Sequence, residues 1–282
     1  MNRRKAIGLL LTVLGAVLLA VLGYLLSLRI LPQPQIAVIR VEGDIWAFYT
    51  TYLSEALEEA ERDPAVAAVV LDISSPGGEV TASEDLYFNV LKLREVKPVI
   101  ASIDEMAASG AYYVASAADQ LYAKPGSAVG NIGVVSFLPD PDFVDEELFT
   151  TGPFKLSGGP QAAYIRQMEM LKDTFLAAIM AQRGDRLQVG TDLLSRGEVY
   201  LGLQAQQMGM IDEVGSQGDA IARAAEIARV RHYKVIDRTP ELPEDLFLFD
   251  FKRARGSTAA TVAALPANMP PGFYYRYVEP PR

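Results

Sequence analysis

The segment AVAAVVLDIS, residues 65–74, is apolar almost throughout and interrupted by a single charge. A run of this length without polar alternation is what a strand covered on both faces requires, and such strands belong to parallel sheets. Parallel neighbours need helical crossovers, so the flanking sequence should carry helical spacing. It does. YTTYLSEALEEAERDP precedes the run and TASEDLYFNVLKLREV follows it, both with apolar residues at helical intervals. IAVIRVEG and KPVIASID read as further strands. The βαβαβα alternation predicts an α/β domain on a mostly parallel sheet.

Beyond this unit, YIRQMEMLKDTFLAAIMAQRGDR (164–186) reads as a long amphipathic helix with Arg and Gly at its end. Residues 197–230 supply a turn, two helices and a short strand between them. From Thr239 the periodicity disappears and the chain becomes Pro-rich, the pattern of an extended or disordered tail. No internal repeat is present.

The N-terminus obeys a different rule. After Arg3, Arg4 and Lys5, residues 6–28 contain no charge. At 1.5 Å per residue this run extends about 35 Å, enough for a hydrocarbon core of about 30 Å. Secretory signal peptides have apolar cores of only about 7–15 residues and a small-x-small cleavage site. The exit YLLSLRILPQP offers none, so an uncleaved anchor is expected. Three cations before the span against Arg29 after it place the N-terminus in the cytoplasm and the remainder outside the cell membrane. The expected organisation is a cytoplasmic cap and anchor (1–30), a linker (31–35), a catalytic domain (36–238) and a tail (239–282).

A formal net charge of −9 argues against a nucleic-acid partner, which needs a basic stripe. The absence of cysteine removes disulfides, thiolate metal sites and cysteine nucleophiles together. No metal or cofactor motif is present.

Two small-residue segments follow predicted strands: SPGG (75–78) and MAASG (106–110). Ligands of open α/β sheets bind at such strand ends. Gly77 and Gly78 bring backbone N–H groups close to a substrate carbonyl, as an oxyanion hole requires. Ser109 would then be a nucleophile beside a helix N-terminus, with Gly110 allowing the tight entry. Taken singly, SPGG is an ordinary turn and AASGA ordinary helix packing. One strand apart, the two together point to acyl chemistry.

The base is the open question. The single histidine, His232, lies far downstream, so a Ser-His-Asp triad is not available. Ser-Lys arrangements are a known variant. A lysine serves as base only where burial or cationic neighbours lower its pKa from about 10.4 towards 7, so it needs an apolar setting. Of the eight lysines, Lys5 is in the cap, Lys92 and Lys97 flank a helix end, and Lys172 sits on a polar helix face. Lys234 and Lys252 lie beyond the core. Lys155, between Phe154 and Leu156 in what reads as a glycine-bounded strand, is the leading candidate. Lys124, before Pro125-Gly126, is the alternative.

Taken in order, VVLDISSPGG, EMAASGAYYVASAAD, AKPGSAVGNIGV, TGPFK and GEVYLGLQAQQMGMIDEVGS resemble the membrane-anchored S49 serine peptidases of the signal peptide peptidase A type. The resemblance extends over residues 35–235. It implies a ClpP/crotonase-like fold and a Ser/Lys dyad, with Ser109 as nucleophile in A-S-G-x-Y-Y and Lys155 closing the motif opened by Thr151 and Gly152. Gly78 and the amide of Ser109 or Gly110 are the implied oxyanion donors. Many relatives carry serine where GNIGV has Asn131, so Asn131 and Thr151 are the implied lysine-orienting residues. The acidic PDPDFVDEE also departs from the pattern. Short members with one Ser motif and one Lys motif assemble as homo-oligomeric rings that share the dyad between subunits.

The implied activity is degradation of cleaved signal peptides and similar membrane-derived peptides, without a cofactor. A peptidase acting on a stomatin-like protein is close to it. A crotonase-type acyl-CoA enzyme and a non-catalytic membrane scaffold are the readings from other classes. The tail adds one expectation: Phe273, Tyr274, Tyr275 and Tyr277 load an extended segment with aromatics, so it should dock on the body, at a subunit interface or near the active-site groove.

Overall fold

The computed structural model describes residues 3–30, 33–137, 151–155, 157–241 and 272–276. In chain order the elements are α1 (Arg3–Ile30), β1 (Gln35–Glu42), α2 (Ala47–Arg62), β2 (Val66–Ser75), β3 (Gly77–Glu79), α3 (Val80–Arg94), β4 (Val99–Ala108) and α4 (Gly110–Ser116). There follow β5 (Gln120–Ala123), β6 (Ala128–Gly130), β7 (Val135–Phe137), α5 (Gln161–Arg183), α6 (Thr191–Leu194) and β8 (Val199–Leu201). The chain continues through α7 (Gly202–Gln207), β9 (Glu213–Val214), α8 (Gln217–Ile227), β10 (Lys234–Asp237) and β11 (Gly272–Arg276).

The main sheet runs β10-β1-β2-β4-β5-β9, with β6 added to β4 and β8 to β6. Every pairing in it is parallel except β6–β8. Both faces are covered, as the apolar run 65–74 requires. Val69, Leu71 and Ile73 point into the larger core beneath α2, α3, α4 and α5. Ala68 and Val70 point the other way, to Ala220, Ala224 and Ala225 of α8. The two-residue period of a strand thus divides one continuous apolar run between two helical layers. β1 does the same with Ala37 and Ile39 against Ile36 and Val38.

Two segments expected to be loops are strand. β4 continues through Met106, Ala107 and Ala108 up to Ser109, and Gly77–Glu79 forms β3 in a second, three-stranded antiparallel sheet, β3-β11-β7. β4 reaches that far because it changes partner: Ile100–Ile103 pair with β5, and Met106–Ala108 with β6. Against β2, Ile73 faces Ile103 while Ser75 faces Ala107, so β4 bulges around Asp104–Met106. Local pattern could not reveal a strand held by two successive neighbours.

Helix α1 is continuous over 28 residues. Its side chains are described at 7–8, 11–24 and 26, and among the described residues no helix is long and apolar enough to cross a membrane. The described large apolar side chains from Leu11 to Leu26 are half exposed or more. Of the linker expected at 31–35, Gln35 belongs to β1 and residues 31–32 lie outside the described residues, as does the acidic stretch 139–147.

One buried cation ties the third layer to the sheet. Arg183, 1% exposed at the end of α5, donates from Nε and Nη2 to the Gly209 carbonyl and from Nη1 to Asp212 Oδ2 at 3.0 Å. Asp212 Oδ2 also accepts from the Leu121 N–H of β5. Arg183→Met should lower stability by about 3 kcal/mol, because it leaves a half-buried carboxylate and a carbonyl unpaired; urea unfolding of the variant against the parent chain measures the loss.

Candidate active site

Ser109 caps the N-terminus of α4 in an unusual way. Its backbone is at φ 54°, ψ −121°, a region that non-glycine residues seldom occupy. A serine at this position ordinarily turns its hydroxyl back onto the helix N–H groups. Ser109 makes no such cap. The residue is 1% exposed and its Oγ is buried without a hydrogen-bond partner. Its N–H donates to the Gly130 carbonyl at 2.7 Å, and its carbonyl accepts from the Tyr113 N–H at 3.0 Å. The backbone is therefore held on both sides while the hydroxyl is left uncommitted.

The glycines converge on the same point. Gly77, at φ 95°, has no room for a side chain: a Cβ there would collide with the Tyr275 carbonyl oxygen and lie 2.7 Å from the Gly110 nitrogen. A Cβ on Gly110 would lie 3.0 Å from that same carbonyl oxygen and collide with Ser83 Oγ. A backbone carbonyl therefore lies close beside both Gly77 and Gly110, next to the serine. Gly78 serves differently. It bridges to Ile45, whose N–H donates to the Gly77 carbonyl at 2.9 Å and whose carbonyl accepts from Glu79 N–H at 2.9 Å, so it locks the position of β3.

An aromatic wall completes the cleft. Tyr113 packs on Tyr87 and Phe175 with ring centroids 4.6 and 5.0 Å apart. Burial raises the phenol pKa of Tyr87 and Tyr113, keeping both neutral. Tyr112 turns the opposite way and donates to the Met210 carbonyl at 2.8 Å. Of the tyrosines in AYY, one thus anchors the sheet and the other lines the cleft. Ser83, Tyr87 and Phe175 were not singled out from sequence. They lie on α3 and α5, and only tertiary packing brings them beside the ASG segment.

The lysines now sort by contact. Lys92 pairs with Glu61 at 3.0 Å, Lys124 with Asp104 and Lys172 with Glu169. Lys97, expected as an ordinary solvated residue, instead donates to the carbonyls of Ala60 and Asp63, both at 2.6 Å, and burial lowers its pKa. It lies before β4, whereas Ser109 follows that strand, so it stands at the opposite edge of the sheet. Lys155 is exposed and makes no ion pair with any described residue. It lies in a turn, where the sequence suggested a strand: Gly152 and Gly158 take positive φ, and Gly158 N–H donates to the Phe154 carbonyl.

Within one chain Lys155 is not brought to Ser109, whose Oγ has no partner. Nor do the implied orienting residues meet the lysine: Asn131 Nδ2 donates to the Gly197 carbonyl at 2.7 Å, and Thr151 is exposed. His232 is exposed outside the core. Among the described residues no acidic or histidine cluster could hold a metal. The open grooves elsewhere, one between α2 and α3 and one beside Lys97, contain no candidate nucleophile aligned with backbone donors.

This geometry can be set beside known proteins. Residues 92–143, which include Ser109 and Asn131, match the model of peptidase family S49. A putative protease of Methanocaldococcus jannaschii is 31% identical over 209 residues, 70% of this chain and 67% of the relative. The chain belongs to peptidase family S49. Protease 4 of Haemophilus influenzae is 33% identical over 219 residues, and the match covers 35% of that longer protein. Among solved structures, a membrane-bound stomatin-specific protease, a lysine-to-alanine mutant in complex with a substrate peptide, aligns with a TM-score of 0.55. It has 15% identity, with 79% of this chain and all of that chain covered, which is a likeness of fold.

For an S49 peptidase the space beside Gly77 is where a reacting carbonyl belongs. Gly77→Ala should lower peptide hydrolysis by at least about 10²-fold, because its methyl group fills that space. Gly126→Ala, whose added Cβ meets nothing within 4 Å, should hydrolyse at the parent rate. Steady-state kinetics on one peptide separates the two.

Proposed function

We propose that this chain is a membrane-anchored serine endopeptidase of the ClpP/crotonase-like class, with Ser109 as nucleophile and Lys155 as general base. It would degrade cleaved signal peptides and similar membrane-derived segments. The observation that carries the reading is the state of Ser109: a buried, uncommitted hydroxyl, in a left-handed backbone conformation, next to a carbonyl-sized space bounded by glycines.

In the proposed reaction, Ser109 Oγ attacks a substrate carbonyl carbon as its proton passes to the lysine amine. The amide nitrogen then leaves with that proton, and water hydrolyses the acyl-serine. Backbone N–H groups at Gly78 and Gly110 stabilise the oxyanion, each donor being worth about 10²–10³ in rate. Gly77 provides the room for it.

The lysine is proposed to come from a neighbouring subunit of a homo-oligomeric ring. Two facts support this: Ser109 Oγ lacks a partner within its own chain, and Lys155 is exposed on a glycine-bounded turn. Asn131 and Thr151 would meet that lysine only across such a contact. Anchoring rests on α1, whose 28 residues extend about 42 Å at 1.5 Å per residue, with uncharged positions 6–28 and apolar side chains exposed around the helix. With Arg3, Arg4 and Lys5 on the cytoplasmic side, the catalytic domain would lie outside the cell membrane.

Ser109→Ala and Lys155→Met should each lower kcat by at least about 10³-fold, whereas Lys124→Met, which loses only a surface ion pair, should retain parent activity. Co-assembly of the Ser109→Ala and Lys155→Met chains should restore part of the activity, since an intact serine then meets an intact lysine across the interface. A mixture as inactive as either variant would show that no dyad is shared. Parent activity in Ser109→Ala would remove the nucleophile assignment altogether.

A further inference from the structure

The cleft beside Ser109 is already filled, and what fills it is the chain's own tail. β11, residues Gly272–Arg276, lies between β3 and β7 and pairs antiparallel with both. Tyr274 faces Glu79, Tyr275 faces Gly78, and Arg276 faces Gly77 on one side; Phe273 faces Ser136 on the other. An extended segment bound on both edges by main-chain hydrogen bonding is the form in which sheets take up peptides.

The side chains add specificity to this docking. Tyr275 is fully buried. Its ring stacks on Tyr113 at 5.6 Å and 22°, lies 4.8 Å from Phe175, and its hydroxyl donates to the Leu171 carbonyl at 2.9 Å. Burial raises the phenol pKa, so the hydroxyl remains a donor. Tyr274, 2% exposed, points to the other side and meets Trp46 edge-on at 6.0 Å. The Tyr275 carbonyl oxygen is the atom packed against Gly77 and Gly110.

Backbone pairing, a filled aromatic pocket and a carbonyl beside the nucleophile coincide in one five-residue segment. We propose that residues 272–276 are a built-in competitive ligand of the active site, holding Tyr275 in the pocket that receives the substrate residue before the scissile bond. This deepens the proposed peptidase reading and rests on it. The pocket of Tyr87, Tyr113 and Phe175 then selects an aromatic residue there, with tyrosine preferred over phenylalanine because the Leu171 carbonyl accepts its hydroxyl.

Reach does not limit the arrangement. The segment between Glu241 and Gly272 can extend on the order of 100 Å, more than the width of a domain of this size. Such tethering raises the local concentration of the tail to roughly the millimolar range, so a weakly held strand suffices to compete with free peptide.

The test compares the full chain with one ending at Met269, both in detergent, on fluorogenic peptides with Tyr, Phe or Ala before the cleaved bond. Truncation should raise kcat/KM by tenfold or more, mainly through KM, with the order Tyr, Phe, Ala. A synthetic peptide of residues 271–278 should inhibit the truncated enzyme competitively. Equal kcat/KM in the two forms, while Ser109→Ala is inactive, would overturn the tail's role and leave the peptidase reading intact. A smaller assembly with reduced activity after truncation would overturn it too, making the tail an interface strut. If neither form hydrolyses any peptide, the peptidase reading fails, and hydrogen exchange in the Ser109→Ala chain judges the docking separately. Protection at Gly77–Glu79 and Val135–Phe137 that is lost on truncation supports the seat, and unchanged protection refutes it.

Discussion

The hydrogen bond from the Ser109 N–H to the Gly130 carbonyl is the contact on which the site depends. It ends the pairing of β4 with β6 and holds the next residue in a left-handed conformation. Such a backbone costs about 1–3 kcal/mol and persists only where its surroundings determine it. Here Ala107, Ala108 and Ala111 are all fully buried around it, and no larger residue would let the strands approach so closely. The strain keeps the serine hydroxyl away from its ordinary capping role.

The two sheets divide the work. The main sheet, covered by helices on both faces, supplies a rigid strand end. The small antiparallel sheet supplies an edge that takes up an extended chain. Gly77 belongs to the second sheet yet its Cα abuts Gly110 of the first unit, so the junction of the sheets is where a carbonyl is received. A junction built from backbone alone is insensitive to the identity of the peptide it holds. Discrimination falls to the aromatic wall on α3, α4 and α5.

The cations illustrate why a base is hard to identify from one chain. Lys92, Lys97, Lys124 and Lys172 are each engaged by a carboxylate or by carbonyls, which favours the protonated form and serves structure. Lys155 is not so engaged. A lysine on an exposed turn acquires a catalytic environment only when another surface covers it, and that is a property of an assembly.

Much of this was legible in the sequence. The run 65–74 demanded a doubly covered parallel strand, and the alternating helices had to cover it, because ten apolar residues cannot face water on either side. The small residues of SPGG and ASG marked the close approach of two backbones, since only glycine, alanine and serine permit it. The aromatic load of 273–277 required a docking place. What local pattern could not carry was any contact set by distant neighbours. The continuation of β4 to Ser109 depends on β6, the conversion of Gly77–Glu79 into a strand depends on β11, and the pocket around Tyr275 gathers residues from three helices. A strand of three residues has no periodicity to read, and its existence is decided by the partner it finds in the folded chain.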